Sequence, residues 1–143
     1  MDEKLKSRCD EKWEVAKAIM ERDGRVMPTI FLANENGQYE DEFIHDISSS
    51  FNLQNVMSEV LGIAKEKGAY AVILTGPTIL KDDAMSEEDF IDLLADPVCE
   101  ENEGLIQIIF YSHGAIYHRI AEGKELPGGF KIYQDKTEGF ERR

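Results

Sequence analysis

Apolar residues fall at three- and four-residue spacing over residues 3–23, where Leu5, Cys9, Trp13, Ala16 and Met20 form one line. Val15 and Ile19 widen that stripe, and Gly24 follows as a natural stop. The spacing predicts an amphipathic helix. The same period returns over residues 50–67 with Leu53, Val56, Met57, Val60, Leu61 and Ala64. Ser50 or Asn52 can cap this second helix, and Gly68 closes it. A third, short helix is predicted from Ser86 up to Asp96-Pro97, where proline ends it. Ser86-x-x-Asp89 has the form of a capping box, and Phe90, Ile91, Leu93 and Leu94 supply its apolar face.

Between the helical stretches the period changes to two or the run becomes apolar throughout. VMPTIFLA (26–33), the turn signal NENG (34–37) and QYEDEFIHDI (38–47) predict a hairpin. A two-residue turn at Asn36-Gly37 and a four-residue loop from Asn34 to Gly37 give the same parity. Either puts Ile30 and Leu32 on the face of Tyr39, Phe43 and His45, with Glu40 and Glu42 opposite. AYAVILTG (69–76) is apolar on both faces, as a central strand is. GLIQIIFYSHGAIYHRIAEG (104–123) predicts a second hairpin, and ELPGGFKIYQ (125–134) a turn with one more short strand. Residues 77–85 and 97–104 read as loops, and 136–143 as a frayed tail.

The elements add up to an α+β fold, a single domain over residues 1–143. Its expected form is a mixed sheet of about five or six strands, with two β-hairpins and helices packed on it. The expected core is Trp13, Ile30, Leu32, Phe43, Val60, Leu61, Val72, Leu74, Ile106, Ile108 and Phe110. Strands 69–76 and 104–112 are apolar on both faces. Either helices cover both sides of the sheet, or one side meets a second copy of the chain; a homodimer is therefore an expectation.

Charge changes the picture more than composition does. The net charge is −13, and residues 82–103 hold ten acids with no Lys or Arg. The first 81 residues sum to −4 and the last 40 to +1. A nucleic-acid binder needs a basic stripe, so direct nucleic-acid binding is not expected. The opening MDEKLKSRCDEK is too charged for a secretory signal, and AYAVILTGPTIL (69–80) is too short to span a bilayer. Two cysteines, Cys9 and Cys99, form no disulfide framework. The expectation is a cytoplasmic protein without membrane association.

Candidate chemistry centres on YSHGAIYH (111–118), with two of the three histidines. A two-residue turn at His113-Gly114 would set Ile109 opposite His118 and put His118 on one face with Tyr111. His113 would then sit at the turn tip in solvent. Two imidazoles so separated cannot share a metal, whose ligand nitrogens approach to about 3 Å. No metal and no cofactor is expected. His45 and Asp46 are strand neighbours and point to opposite faces, and Ser48, Ser49 and Ser50 lack a nucleophile-elbow spacing. Cys99 lies among acids, which oppose a thiolate. LTGPT (74–78) continues into no phosphate-binding glycine motif, and Asp82-Asp83 into no calcium loop. His118, Tyr111 and His45 remain as acid/base candidates, against the plainer reading of ordinary hairpin residues.

Two other features carry functional readings. Thr75, Thr78, Lys81 and Asp82 can line a ligand crevice at the end of the central strand, or belong to an ordinary connection. Glu87, Glu88, Asp89 and Asp92 can dock a basic protein partner, or simply keep the chain soluble. The reading favoured is a small acidic, non-catalytic binding or adaptor protein that presents 82–103 to a protein partner. The alternatives are a small-molecule sensor using the 77–85 crevice and a small enzyme with a His-containing site.

Overall fold

A computed structural model describes residues 3–24, 26, 29–34, 39–43, 53–78 and 104–142. Helix α1 spans Glu3–Asp23 and α2 spans Leu53–Glu66. The strands are β1 Thr29–Asn34, β2 Tyr39–Phe43, β3 Ala69–Thr78, β4 Gly104–Tyr111, β5 Ile116–Glu125, β6 Lys131–Asp135 and β7 Glu141–Arg142. The predicted helix at 86–96 lies outside the described residues.

The strands form one sheet in the order β2-β1-β3-β4-β5-β6, with β7 also paired to β5. The protein is thus α+β, with every described ladder antiparallel. The sheet is not mixed, because β1 sits between the two strands that the α2 crossover joins. α2 lays Val60 and Ala64 on one face, against Ile30, Leu32, Val72, Leu74, Ile106, Ile108 and Ile120. α1 covers the other face obliquely. Leu5 and Cys9 meet Phe31, Ala71, Ile73 and Ile109, whereas Trp13, Ala16 and Met20 meet Leu105, Ala121 and Tyr133. Each large side chain so buried contributes about 1.5–3 kcal/mol. The double-sided apolar strands are therefore explained by helices on both faces, without recourse to a second copy.

Two of the expected core residues sit differently. Leu61 is 42% exposed, because the inward line of α2 is Val60–Ala64 with Ile63 beside it. Phe110 is only partly buried. Val15, expected to widen the α1 stripe, is 51% exposed. The buried line is the narrower one through Leu5, Cys9, Trp13, Ala16 and Met20.

Both hairpins are shifted by one residue from expectation. In the first, Ala33 pairs with Tyr39, Leu32 with Glu40 and Ile30 with Glu42. An odd number of connecting residues inverts the parity that both even loops share. In the second, Gly114 N–H donates to the Tyr111 carbonyl and Tyr111 N–H to the Ala115 carbonyl, each at 2.9 Å. The loop is Ser112-His113-Gly114, with Gly114 at φ 98°, a conformation open to glycine. Ile108, not Ile109, is therefore opposite His118.

Two stretches expected to be irregular are built into the sheet. Pro77 and Thr78 continue β3, paired with Leu105 and Gly104. Described β1 pairing reaches only Thr75, so β3 can accommodate a missing N–H beyond that point. The expected frayed tail is instead anchored. Ile120 N–H donates to Thr137 Oγ1, Lys136 N–H donates to the Ile120 carbonyl, and β7 pairs with Tyr117 and His118.

The outer strand β6 is closed from the helix side. Its Tyr133 N–H donates to Glu21 Oε1 of α1 at 3.0 Å. A carboxylate there blocks pairing with another strand, a common protection of sheet edges. Burial first, and the Glu21 charge second, hold the Tyr133 phenol above its ordinary range. In the unfolded chain this phenol ionises near pH 10. Its contribution to stability is complete below about pH 10 and is lost as pH rises through the folded value. Resistance to denaturant should therefore fall in alkali, and Tyr133→Phe should lessen that fall. The same alkaline loss in both proteins would contradict this assignment.

Candidate functional site

Among the described residues, the most enclosed polar chemistry lies under α1. Thr75, Gln107 and Arg119 are register partners across β3, β4 and β5, and all three are buried. Gln107 Nε2 donates to Thr75 Oγ1 and to the Cys9 carbonyl of α1, both at 2.9 Å. Its Oε1 accepts a bond from Arg119 Nε at 3.0 Å. Arg119 Nη1 donates to Asp10 Oδ1 at 2.8 Å. The guanidinium lies over two rings, Trp13 at 5.0 Å and Phe140 at 4.4 Å. Arg119 Nη2 is buried without a hydrogen-bond partner among the described residues, leaving the rings to offset part of its desolvation.

This row is suited to holding a helix, not to moving protons. A guanidinium stays charged across the working pH range, and an amide and a hydroxyl carry no titratable proton there. The row tethers α1 by the backbone of Cys9 and by the side chain of Asp10. A second tether lies one turn on, where Trp13 Nε1 donates to Asp135 Oδ1 at 2.8 Å. Lys17 sits 3.4 Å from the same carboxylate and 2.9 Å from Glu14. Burial disfavours its charge most, yet its bonds and attractions to Glu14 and Asp135 together raise its pKa above the ordinary lysine value.

The described residues among those singled out from sequence do not come together in one site. Thr75 is only 3% exposed and bonded to Gln107, so it does not line an open crevice. Thr78 is the last residue of β3, and Lys81, Asp82, Glu87, Glu88, Asp89, Asp92 and His45 lie outside the described residues. Tyr111 and His118 are not on one face. Tyr111 packs on the α1 side, edge-on to Tyr117 and stacked on His113. His118 lies between Tyr117 and Arg119 along β5, so alternation turns it to the α2 side.

Gln107, Arg119 and Asp10 went unnoticed in the sequence reading. One signal was present: Gln107 is the lone amide in the apolar run GLIQIIFY. A buried strand tolerates such a residue only when its bonds are met. Among the described residues no group of three or more His, Cys, Asp or Glu could hold a metal ion. No described helix is long and apolar enough to cross a membrane.

The acidic connection has a defined root. Thr78 and Gly104 are register partners in adjacent strands, so the segment that joins them leaves and re-enters the sheet at one point. Both roots of the acidic connection therefore lie at one end of the sheet.

The buried row yields a stability ranking. Gln107→Leu removes three bonds at once and leaves Arg119 Nε and Thr75 Oγ1 buried without them; it should cost about 2–4 kcal/mol. The Asp10 side chain is 44% exposed, so solvent screens its pair with Arg119. Asp10→Asn should cost less than about 1 kcal/mol. Urea unfolding that finds Asp10→Asn the costlier change would refute this division.

Comparison with protein-family models, with curated proteins and with solved structures finds no match to this chain.

Proposed function

We propose that the chain is a non-catalytic binding protein that presents its acid-rich segment, residues 82–103, to a basic protein partner. The observation that carries this reading is the concentration of charge. Ten of the acids behind the net charge of −13 fall in that segment, with no Lys or Arg among them. The pairing of Thr78 with Gly104 supports it, since both roots of the connection are held by the ladder between β3 and β4. A block of one sign attracts a partner of the opposite sign over roughly a Debye length, about 8 Å at physiological salt. Such a field mainly raises the association rate and selects against acidic partners.

The test replaces Glu87, Glu88, Asp89 and Asp92 together with Ser. Binding partners are captured with the intact chain, purified, and titrated against both forms across ionic strength. The expected result is an association rate reduced by about tenfold or more at low salt, with a shallower salt dependence. Equal affinity and equal salt dependence in the two forms would remove the acidic-docking reading.

A further inference from the structure

We propose that the tip of the β5–β6 hairpin is the anchor of the same protein contact, with Phe130 and Leu126 filling an apolar pocket on a basic partner. This inference rests on the acidic-docking reading and adds the contact that would hold the complex once charge has brought it together.

The tip is rigid and apolar. Leu126 N–H donates to the Phe130 carbonyl at 2.6 Å, and Gly129 N–H donates to the Leu126 carbonyl at 3.3 Å. Pro127 and Gly128 take the central turn positions, and Gly128 has the positive φ, 91°, that a type II turn requires there. A Cβ at Gly128 would stand in ordinary contact with the Phe130 ring, 3.5 Å away, so it is the positive φ that calls for glycine there. The turn thus explains Pro127, Gly128 and Gly129. It does not explain two large apolar flanks, since the turn's own chemistry makes no demand for apolar residues at positions 126 and 130.

Phe130 is nevertheless 71% exposed and Leu126 41%. They face each other across the hairpin, and Ile132, half-buried, follows on the same face by alternation. The core under α2 reaches β5 only as far as Ile120 and includes no residue of β6. The strip of Leu126, Phe130 and Ile132 therefore lies beyond the described core on that side. Single exposed apolar residues are ordinary, but a contiguous pair on a preorganised turn has the form of an interface anchor.

Charge and position select the occupant. Gly104, one root of the acidic connection, pairs with Glu122, and Leu126, just past the end of β5, is four residues further along the chain. That is about 13 Å at ordinary strand rise, so the anchor and the acidic root share one end of the sheet. Lys124, Glu125 and Lys131 nearly balance at the tip itself, so the tip adds apolar contact rather than field. A partner drawn by the acids is basic, and a pocket on it can receive an aromatic ring. An anionic membrane would be repelled by a chain of net charge −13, and a second copy would bring the same charge.

The experiment places a photoreactive benzophenone side chain at position 130 of the full chain, with position 15, also exposed, as control. The protein that crosslinks from position 130 alone is identified, purified and titrated against wild type, Phe130→Ser, Leu126→Ser and the fourfold acid-to-serine form. The inference expects a basic partner, and about a tenfold or greater loss of affinity in Phe130→Ser, mostly as faster dissociation with unchanged salt dependence. Circular dichroism should show both tip variants folded, since neither side chain is buried. Affinity within twofold of wild type in both tip variants overturns the anchor, and then the acid-to-serine form alone decides the acidic-docking reading. Crosslinks only to a second copy or to lipid, or none specific to position 130, also overturn it.

Discussion

Gln107 uses both amide hydrogens and its oxygen where water has no access, and the seating of α1 depends on those three bonds. An amide in the centre of an apolar strand is costly unless each bond is met. Here one bond stays within the sheet, one crosses to the helix backbone at Cys9, and one enlists Arg119. Arg119 in turn reaches Asp10, the next helix residue. Shifting α1 by one residue or rotating it would leave a buried amide and a buried guanidinium unpaired. A packed apolar interface alone tolerates sliding far better, because dispersion has little directional preference.

Once α1 is fixed, several features follow from its position. Trp13 and Phe140 are both brought against the Arg119 guanidinium, which ties the final described segment to the helix through one cation. Glu21 reaches the β6 backbone and closes that edge. Asp135, at the end of β6, receives Trp13 and Lys17. The helix is thus joined to β4, β5 and β6 by polar contacts of defined geometry, over a face otherwise filled by apolar packing. With α2 on the opposite face, the sheet becomes a stiff support. Thr78, Gly104 and the β5–β6 tip are held on that support, which is where the proposed function is located.

The helix α1 was legible because five apolar residues repeat at helical spacing and the interior line is narrow. The strands at 69–78 and 104–111 were legible because buried strands are apolar throughout. Hairpin registers were not. A loop of three residues and one of two differ in sequence only by which residue accepts a positive φ, and Gly114 satisfies either. That single step turns His118 away from Tyr111, so the histidine grouping suggested by local pairing dissolved. The tail at 136–142 looked frayed because its anchors are not periodic: Thr137 and Phe140 act through one hydroxyl bond and one ring contact. The buried row was hidden for a related reason. Thr75, Gln107 and Arg119 are far apart in sequence and become neighbours only when three strands are set in register. The acidic segment was legible as charge, while its docking role and that of the tip stand as proposals.

The central claim is that the Gln107–Arg119 row holds α1 on the sheet, and the side-chain Nε–H of Arg119 reports on it directly. In a proton–nitrogen spectrum at neutral pH, that resonance should exchange slowly with water. It should also show through-space contacts to the rings of Trp13 and Phe140. An Arg119 Nε–H that exchanges as fast as those of exposed arginines, without ring contacts, would contradict the account.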